Sequence, residues 1–402
     1  MSMEPRTSTA SSLRLEFHRL TQVLVGVILA TVSLTPYPSA TQYAPEAPRI
    51  TVADLDLNQP RRNDPQSQHR YRFSDFELRT AFGGINTSSY HYNNGSIADA
   101  SALSIISYDP ETKNPQWAKS VRAFQHSTSS RTYDIYQLED PESQMDSRTS
   151  GALVSSPDGR HVSILIHVVS FQDNKTPNSG PTILNRSTHV IVLDARTGDV
   201  VRQEKLAGLV LGQALTNDSL AVETAQDFFP GGSGRGKLNI FSLENRSDPS
   251  TEVPVGHWLV GASRTTFLLS SDTVSRGFGS GFPYTATVTQ LDIHGHVVGT
   301  IPNVTEVVFG GWVRALSNTT KESNSDDTRY KKSELLHVDT GTKVDVSGKF
   351  DWMSDVPTGT GVIVQEEVPT EDGKTQFVPV FWLSSTDDGH PHTENLEQFK
   401  DD

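Results

Sequence analysis

The chain has 402 residues, 35% of them hydrophobic, and a formal net charge of −14. That length suits one large or two ordinary domains, and the acidic balance excludes nucleic acid as the main partner, because a phosphate backbone needs a basic face. Cysteine is absent, which excludes disulfides, thiolate metal sites, cysteine nucleophiles and cysteine-linked lipid anchors.

At the N-terminus, Arg14, His18 and Arg19 precede the apolar run "VLVGVILATVSL", Val23–Leu34. The run is short for a spanning helix, and a basic flank before a short apolar stretch is the pattern of an export signal. Ala40 suits a cleavage site, whereas Pro38 stands where a small residue belongs. Residues 1–40 are therefore read as a signal peptide or a membrane anchor. This places the chain outside the cytoplasm, secreted or held at the membrane, in a host that does not rely on oxidative folding. Residues 41–68 are polar and proline-rich and read as a flexible, disordered linker. "DLDLN" (Asp54–Asn58) resembles the start of a calcium loop, but Gln59 stands where glycine is required and no glutamate closes the loop.

From 69 to 390 the pattern is short alternating strands and frequent turns, with almost no long amphipathic helical period, which predicts an all-β domain. One phrase recurs: an apolar strand, an acidic residue, a polar turn and a second strand. Its copies are "LSIISYDPETKNPQW" (Leu103–Trp117), "HVIVLDARTGDVVRQ" (His189–Gln203), "KLNIFSLENRSDP" (Lys237–Pro249), "TVTQLDIHGHVVGTI" (Thr287–Ile301), "ELLHVDTGTKVDVS" (Glu334–Ser347) and "FVPVFWLSSTDDG" (Phe377–Gly389). Anchored at Asp194, Glu244, Asp292, Asp339 and Thr386, the repeat has the length of one four-stranded propeller blade. Each unit divides into strands A to D. Around Asp194 these are "GALVSS", "HVSILIHVVSF", "HVIVLDA" and "DVVRQEK". Six or seven blades fit, and seven is favoured if "YDIYQLED" (Tyr133–Asp140) belongs to a further blade. "YRFSDFEL" (Tyr71–Leu78) is a candidate to close the ring by pairing with the last blade. Residues 391–402 read as a polar tail.

"VIVLDARTGDVV" (Val190–Val201) resembles the repeat of the quinoprotein-like β-propellers, in which an apolar strand leads into D-x-x-T-G and another strand. "HVDTGTKVDV" is a compressed version, and "SYDPETKNPQW" keeps the terminal tryptophan. The resemblance implies a propeller fold over roughly residues 70–390. Quinoprotein dehydrogenases themselves are longer, have eight blades and hold their quinone beside an adjacent cysteine pair. A chain without cysteine is thus expected to be a non-enzymatic or divergent member, and no cofactor is implied.

The longest connections are the B–C loops, which share one face of a propeller. Within or beside them Arg235, Lys237, Arg276, Phe278, Tyr284 and Tyr330 combine cations and aromatics, a mixture that suits a protein or glycan partner. "GGSGRGK" (Gly231–Lys237) matches the core of a phosphate loop, but Leu238 stands where Ser or Thr would hold magnesium, and the residues that follow alternate as a strand. "HGH" (His294–His296) is explained by its hairpin turn, and neither it nor "HPH" (His390–His392) has a third ligand at a recognisable spacing. Trp258, Trp312 and Trp352 read as fillers between blades. No catalytic constellation emerges. The expectation is an exported, envelope-associated, monomeric propeller that binds a protein or other ligand at its long-loop face. The alternative is a propeller hydrolase or lyase acting on glycans or peptides in the central cleft.

Overall fold

The computed structural model describes residues 49–56, 78–92, 100–109, 112, 114–124, 131–137, 153–172, 182–207, 209–225, 236–245, 250–271, 285–316, 333–346, 350–355, 361–370, 374–385, 390–393 and 396. Met1–Ala47 and Pro48–Asp402 are separate units, and every described residue belongs to the second. The signal or anchor segment lies outside the described residues.

The described elements are β-strands paired antiparallel, together with short 3-10 geometry at Phe309–Gly311. The first sheet runs β2 (Leu78–Thr80), β3 (Gly83–Tyr92), β4 (Ala100–Tyr108) and β5 (Pro115–Phe124). Outside β5 it carries a fifth strand, β1 (Arg49–Asp54). That strand comes from the stretch read as linker. The second sheet contains β7 (Leu153–Ser155), β8 (His161–Gln172), β9 (Thr182–Asp194) and β10 (Val200–Leu206). β6 (Arg131–Gln137) pairs with the far half of the β8 edge that β7 occupies. "YDIY" therefore extends an existing inner edge. The third sheet is the meander β11 (Leu209–Leu215), β12 (Ser219–Ala225), β13 (Gly236–Ser242) and β14 (Thr251–Val255).

The fourth sheet has seven strands: β15 (Trp258–Ala262), β16 (Phe267–Ser270), β17 (Ala286–Leu291), β18 (Val297–Val307), β19 (Trp312–Leu316), β20 (Ser333–His337) and β21 (Lys343–Asp345). β18 serves two meanders. Val297–Ile301 pair with β17, Val304, just beyond Asn303 (φ 57°), pairs with both Ala286 of β17 and Ala315 of β19, and Glu306 and Val307 pair with β19 alone. The last sheet is β22 (Phe350–Asp355), β23 (Gly361–Pro369) and β24 (Thr375–Ser384). A single bridge from Trp382 to His392, in the polar tail, stands at its outer edge. Leu78, from the segment proposed to close the ring on the last blade, pairs instead with Ile85 of β3, and residues 71–77 lie outside the described residues.

Both faces of the second and third sheets are buried, so alternate residues on one strand feed different cores. Val162, Ile164, Ile166 and Val168 of β8 pack with Ile85, Leu103, Ile105 and Val121 of the first sheet. Leu165 of β8, with Val190 and Val192 of β9, packs against Val210, Leu220 and Val222 of the third. The same face-to-face stacking links β13 to β15 and β16 through Leu238, Ile240, Leu259 and Phe267. Meanders stacked in sequence order are the arrangement of propeller blades.

The D-x-x-T-G phrase is a local turn device. Asp194 Oδ1 accepts the backbone N–H groups of Arg196 (2.8 Å) and Thr197 (2.9 Å). Gly198 then takes φ 73°, a left-handed conformation that glycine adopts without strain. Its Cα faces the Trp117 ring, where an added Cβ would fall 2.7 Å from ring carbons, while Trp117 Nε1 donates to the Ala195 carbonyl at 2.9 Å. In the fifth copy the residue matching Asp194 is His337, since Gly341 N donates to the His337 carbonyl as Gly198 N does to that of Asp194. Asp339, the anchor chosen from sequence, does something else.

Candidate functional site

The strand order places A–B turns and C–D turns at one end of the sheets and B–C connections at the other. The A–B end is cross-linked from sheet to sheet. Ala81 N donates to the Gly159 carbonyl, and Asn217 N donates to that of Arg264. His161 Nδ1 lies 3.1 Å from the Asn217 carbonyl oxygen. Asp339 accepts from Ser263 Oγ (2.6 Å), Thr265 Oγ1 (3.0 Å) and Arg264 N (3.0 Å), tying the turn after β15 to the turn after β20. The fully buried Trp312 donates Nε1–H to the Ser384 carbonyl, and Ser385 Oγ donates to the Pro157 carbonyl.

The B–C end differs. Its connections include residues 173–181, 226–235, 271–285 and 317–332, and each joins two antiparallel neighbours. Buried polar groups lie in the strands next to three of these connections. Glu223, on β12, is 1% exposed, and its Oε2 accepts the Leu259 N–H of the next sheet at 2.9 Å. Burial pushes its carboxyl up to about 7, against the smaller opposing effect of that hydrogen bond. Ser187 Oγ and His189 Nε2 on β9 are hydrogen-bonded at 3.1 Å. Burial first, and then the charge of Lys205, bring the His189 imidazole down to about 4. On β19, Arg314 Nη1 lies 3.8 Å from Glu306 Oε2, and its Nε and Nη2 donate to Ser333 Oγ. Nothing in a periodicity reading distinguishes these residues from ordinary strand positions. The one signal was a charged residue inside an otherwise apolar strand, as in "LAVETA" and "WVRAL".

Of the residues singled out from sequence, Lys237 is described. It is the second residue of β13, half-exposed, and its Nζ is 2.9 Å from Glu252 Oε1 on β14. Arg235, Arg276, Phe278, Tyr284 and Tyr330 lie outside the described residues. No cluster of three or more His, Cys, Asp or Glu able to hold a metal occurs among the described residues. His294 and His296 stand exposed at the β17–β18 turn, where Asp292 Oδ1 accepts both of their backbone N–H groups. His392 stacks on Trp382 with ring centroids 4.2 Å apart.

No family model and no curated protein matches the chain. Solved structures are similar to it at low identity. The acylaminoacyl peptidase of Pyrococcus horikoshii is 11% identical over 78% of this chain, with a TM-score of 0.35. The β-propeller domain of the Trilobed protease from Pyrococcus furiosus is 11% identical over 77% of this chain and 97% of its own, with a TM-score of 0.31. A putative dipeptidyl aminopeptidase IV from Bacteroides ovatus is 9% identical over 75% of this chain and 50% of its own, with a TM-score of 0.31. The chain spans 44% of the length of the acylaminoacyl peptidase. These similarities assign no family and no activity to it.

Proposed function

We propose that this chain is an exported, envelope-associated β-propeller of six blades. It binds a protein or another ligand through the B–C loops of one face and needs no cofactor. The count of six follows from dividing the seven-stranded sheet at Asn303 and assigning β6 to the blade of β8. The observation that carries the binding reading is the asymmetry between the two ends. One end is a lattice of short turns hydrogen-bonded across the sheets. The other carries the long connections, with Glu223 and the Arg314–Glu306 pair buried in the strands beside them. Ionisable groups are costly to bury, and perturbed ones concentrate where a protein interacts.

Arg235 and Arg276 belong to those loops, and Lys237 follows one of them. Surface ion pairs like Lys237–Glu252 contribute at most about 1 kcal/mol, so replacing them disturbs folding little. The wild-type chain is to be screened on glycan and peptide arrays against Arg235→Ala, Lys237→Ala and Arg276→Ala variants. Loss of the bound ligands in the variants, at an unchanged melting temperature, is the expected result. Ligands retained equally by all three would move the site off this rim.

A further inference from the structure

A charge on the face of a sheet that lies between two others is costly unless a counter-charge meets it. Glu223 stands on such a face. It is 1% exposed, two residues from the end of β12, and reaches across the seam to the fourth sheet, where Oε2 accepts the Leu259 N–H at 2.9 Å. Among the described residues no group donates to its other oxygen, Oε1. Oε1 borders Gly236, the first residue of β13. A Cβ added there would fall 3.2 Å from Oε1 and 3.3 Å from the Thr224 carbonyl oxygen, so the bare Cα leaves the carboxyl its room.

Among the described residues no cation meets this carboxyl. β11, β15, β16 and β17 carry no charged residue. On β13 the charged residue is Lys237, half-exposed and paired with Glu252 of β14. His257, ahead of β15, is exposed. The carboxyl is therefore neutral while the seam is shut, with its proton on Oε1, because Oε2 faces a donor. Ionisation requires water at Oε1. Gly236 has no side chain and begins its strand, so the way in for that water is past Gly236.

We infer that Glu223 is a proton-operated fastening between the third and fourth sheets at their B–C end. Neutral, it holds the start of β13 and the Leu259 backbone together, and on losing its proton it admits water there and loosens both. Burial raises this carboxyl from 4.5 to about 7, so opening becomes easier as pH climbs from 4.5 to 7 and levels off above. The device makes this part of the B–C rim sensitive to pH. It does not rest on the ligand-binding reading, since a rim that binds nothing would loosen in the same way.

Hydrogen exchange of the full chain at pH 6 and pH 8, with each rate divided by the intrinsic rate at that pH, tests it. In the wild type the amides of Lys237, Leu238 and Leu259 should exchange faster than those of Val190–Val192 in β9. Their opening should increase about tenfold from pH 6 to pH 8. Neither Glu223→Gln nor Glu223→Met can ionise, so in both variants the same amides should open equally at the two pH values. Melting temperatures show that the variants fold. Wild-type opening that is the same at both pH values overturns the inference, and so does a rise that either folded variant shares. Amides that merely follow β9 overturn it too, because they assign the effect to unfolding of the whole domain.

Discussion

Glu223 carries a carboxyl that burial holds near 7, while the Leu259 N–H anchors one of its oxygens. In the unfolded chain it titrates near the ordinary 4.5. Between those values the folded state retains a proton that the unfolded state has lost, so stability falls as pH rises from 4.5 to 7 and the loss is complete above 7. A displacement of that size corresponds to about 3 kcal/mol. Glu223→Gln keeps a neutral acceptor for Leu259 and cannot ionise. Its urea midpoint, relative to wild type, should therefore rise between pH 5 and pH 8. An identical pH profile for the two proteins would show that Glu223 stays charged in the fold. His189 works in the opposite sense. Its imidazole is lowered to about 4, so the stability it contributes is present above 6.5 and lost as pH falls from 6.5 to 4. Neither role is legible in "LAVETA" or "HVIVLDA", because both depend on what the neighbouring sheet places over the side chain.

At the scale of elements, the repeat phrase and its exceptions can be separated. In "LDARTG" the aspartate caps its own turn, which is a local arrangement and was readable. In "HVDTG" the apparent equivalent, Asp339, reaches to Ser263, Arg264 and Thr265, more than seventy residues away in the chain. His337 takes the turn position instead and lies buried edge-on to Trp312, with ring centroids 4.9 Å apart. Desolvation lowers its pKa, and the nearby charge of Asp339 opposes that. Asp339→Asn keeps the size of the side chain but forfeits the charge behind three hydrogen bonds. A cost of about 1–3 kcal/mol is expected, read as a lower melting temperature. A melting temperature within error of wild type would mean that the two turns are held together by packing alone. The β18 kink at Asn303 was likewise invisible beforehand. It occupies a left-handed φ within a strand that also carries β-bulges, and it stands where one strand passes from one meander to the next.

For the whole molecule, stacking in sequence order explains why the second and third sheets look apolar on both faces, since each lies between two others. The export reading belongs to this scale and rests on residues 1–40. Fractionation of the expressed full chain should place it in the medium or the membrane, and recovery from the cytosol alone would remove export from the proposal. From sequence alone came the all-β class, the blade-length repeat and the assignment of β7 to β13 as strands of successive units. These are set by alternation and turn chemistry, which act over a few residues. The tertiary structure decided that β6 joins β8, that β1 covers β5, that Glu223 is sealed against the next sheet, and that β18 is shared by two meanders. Those outcomes depend on pairings between segments distant in the chain, and on which faces meet at each seam, and no local pattern carries either.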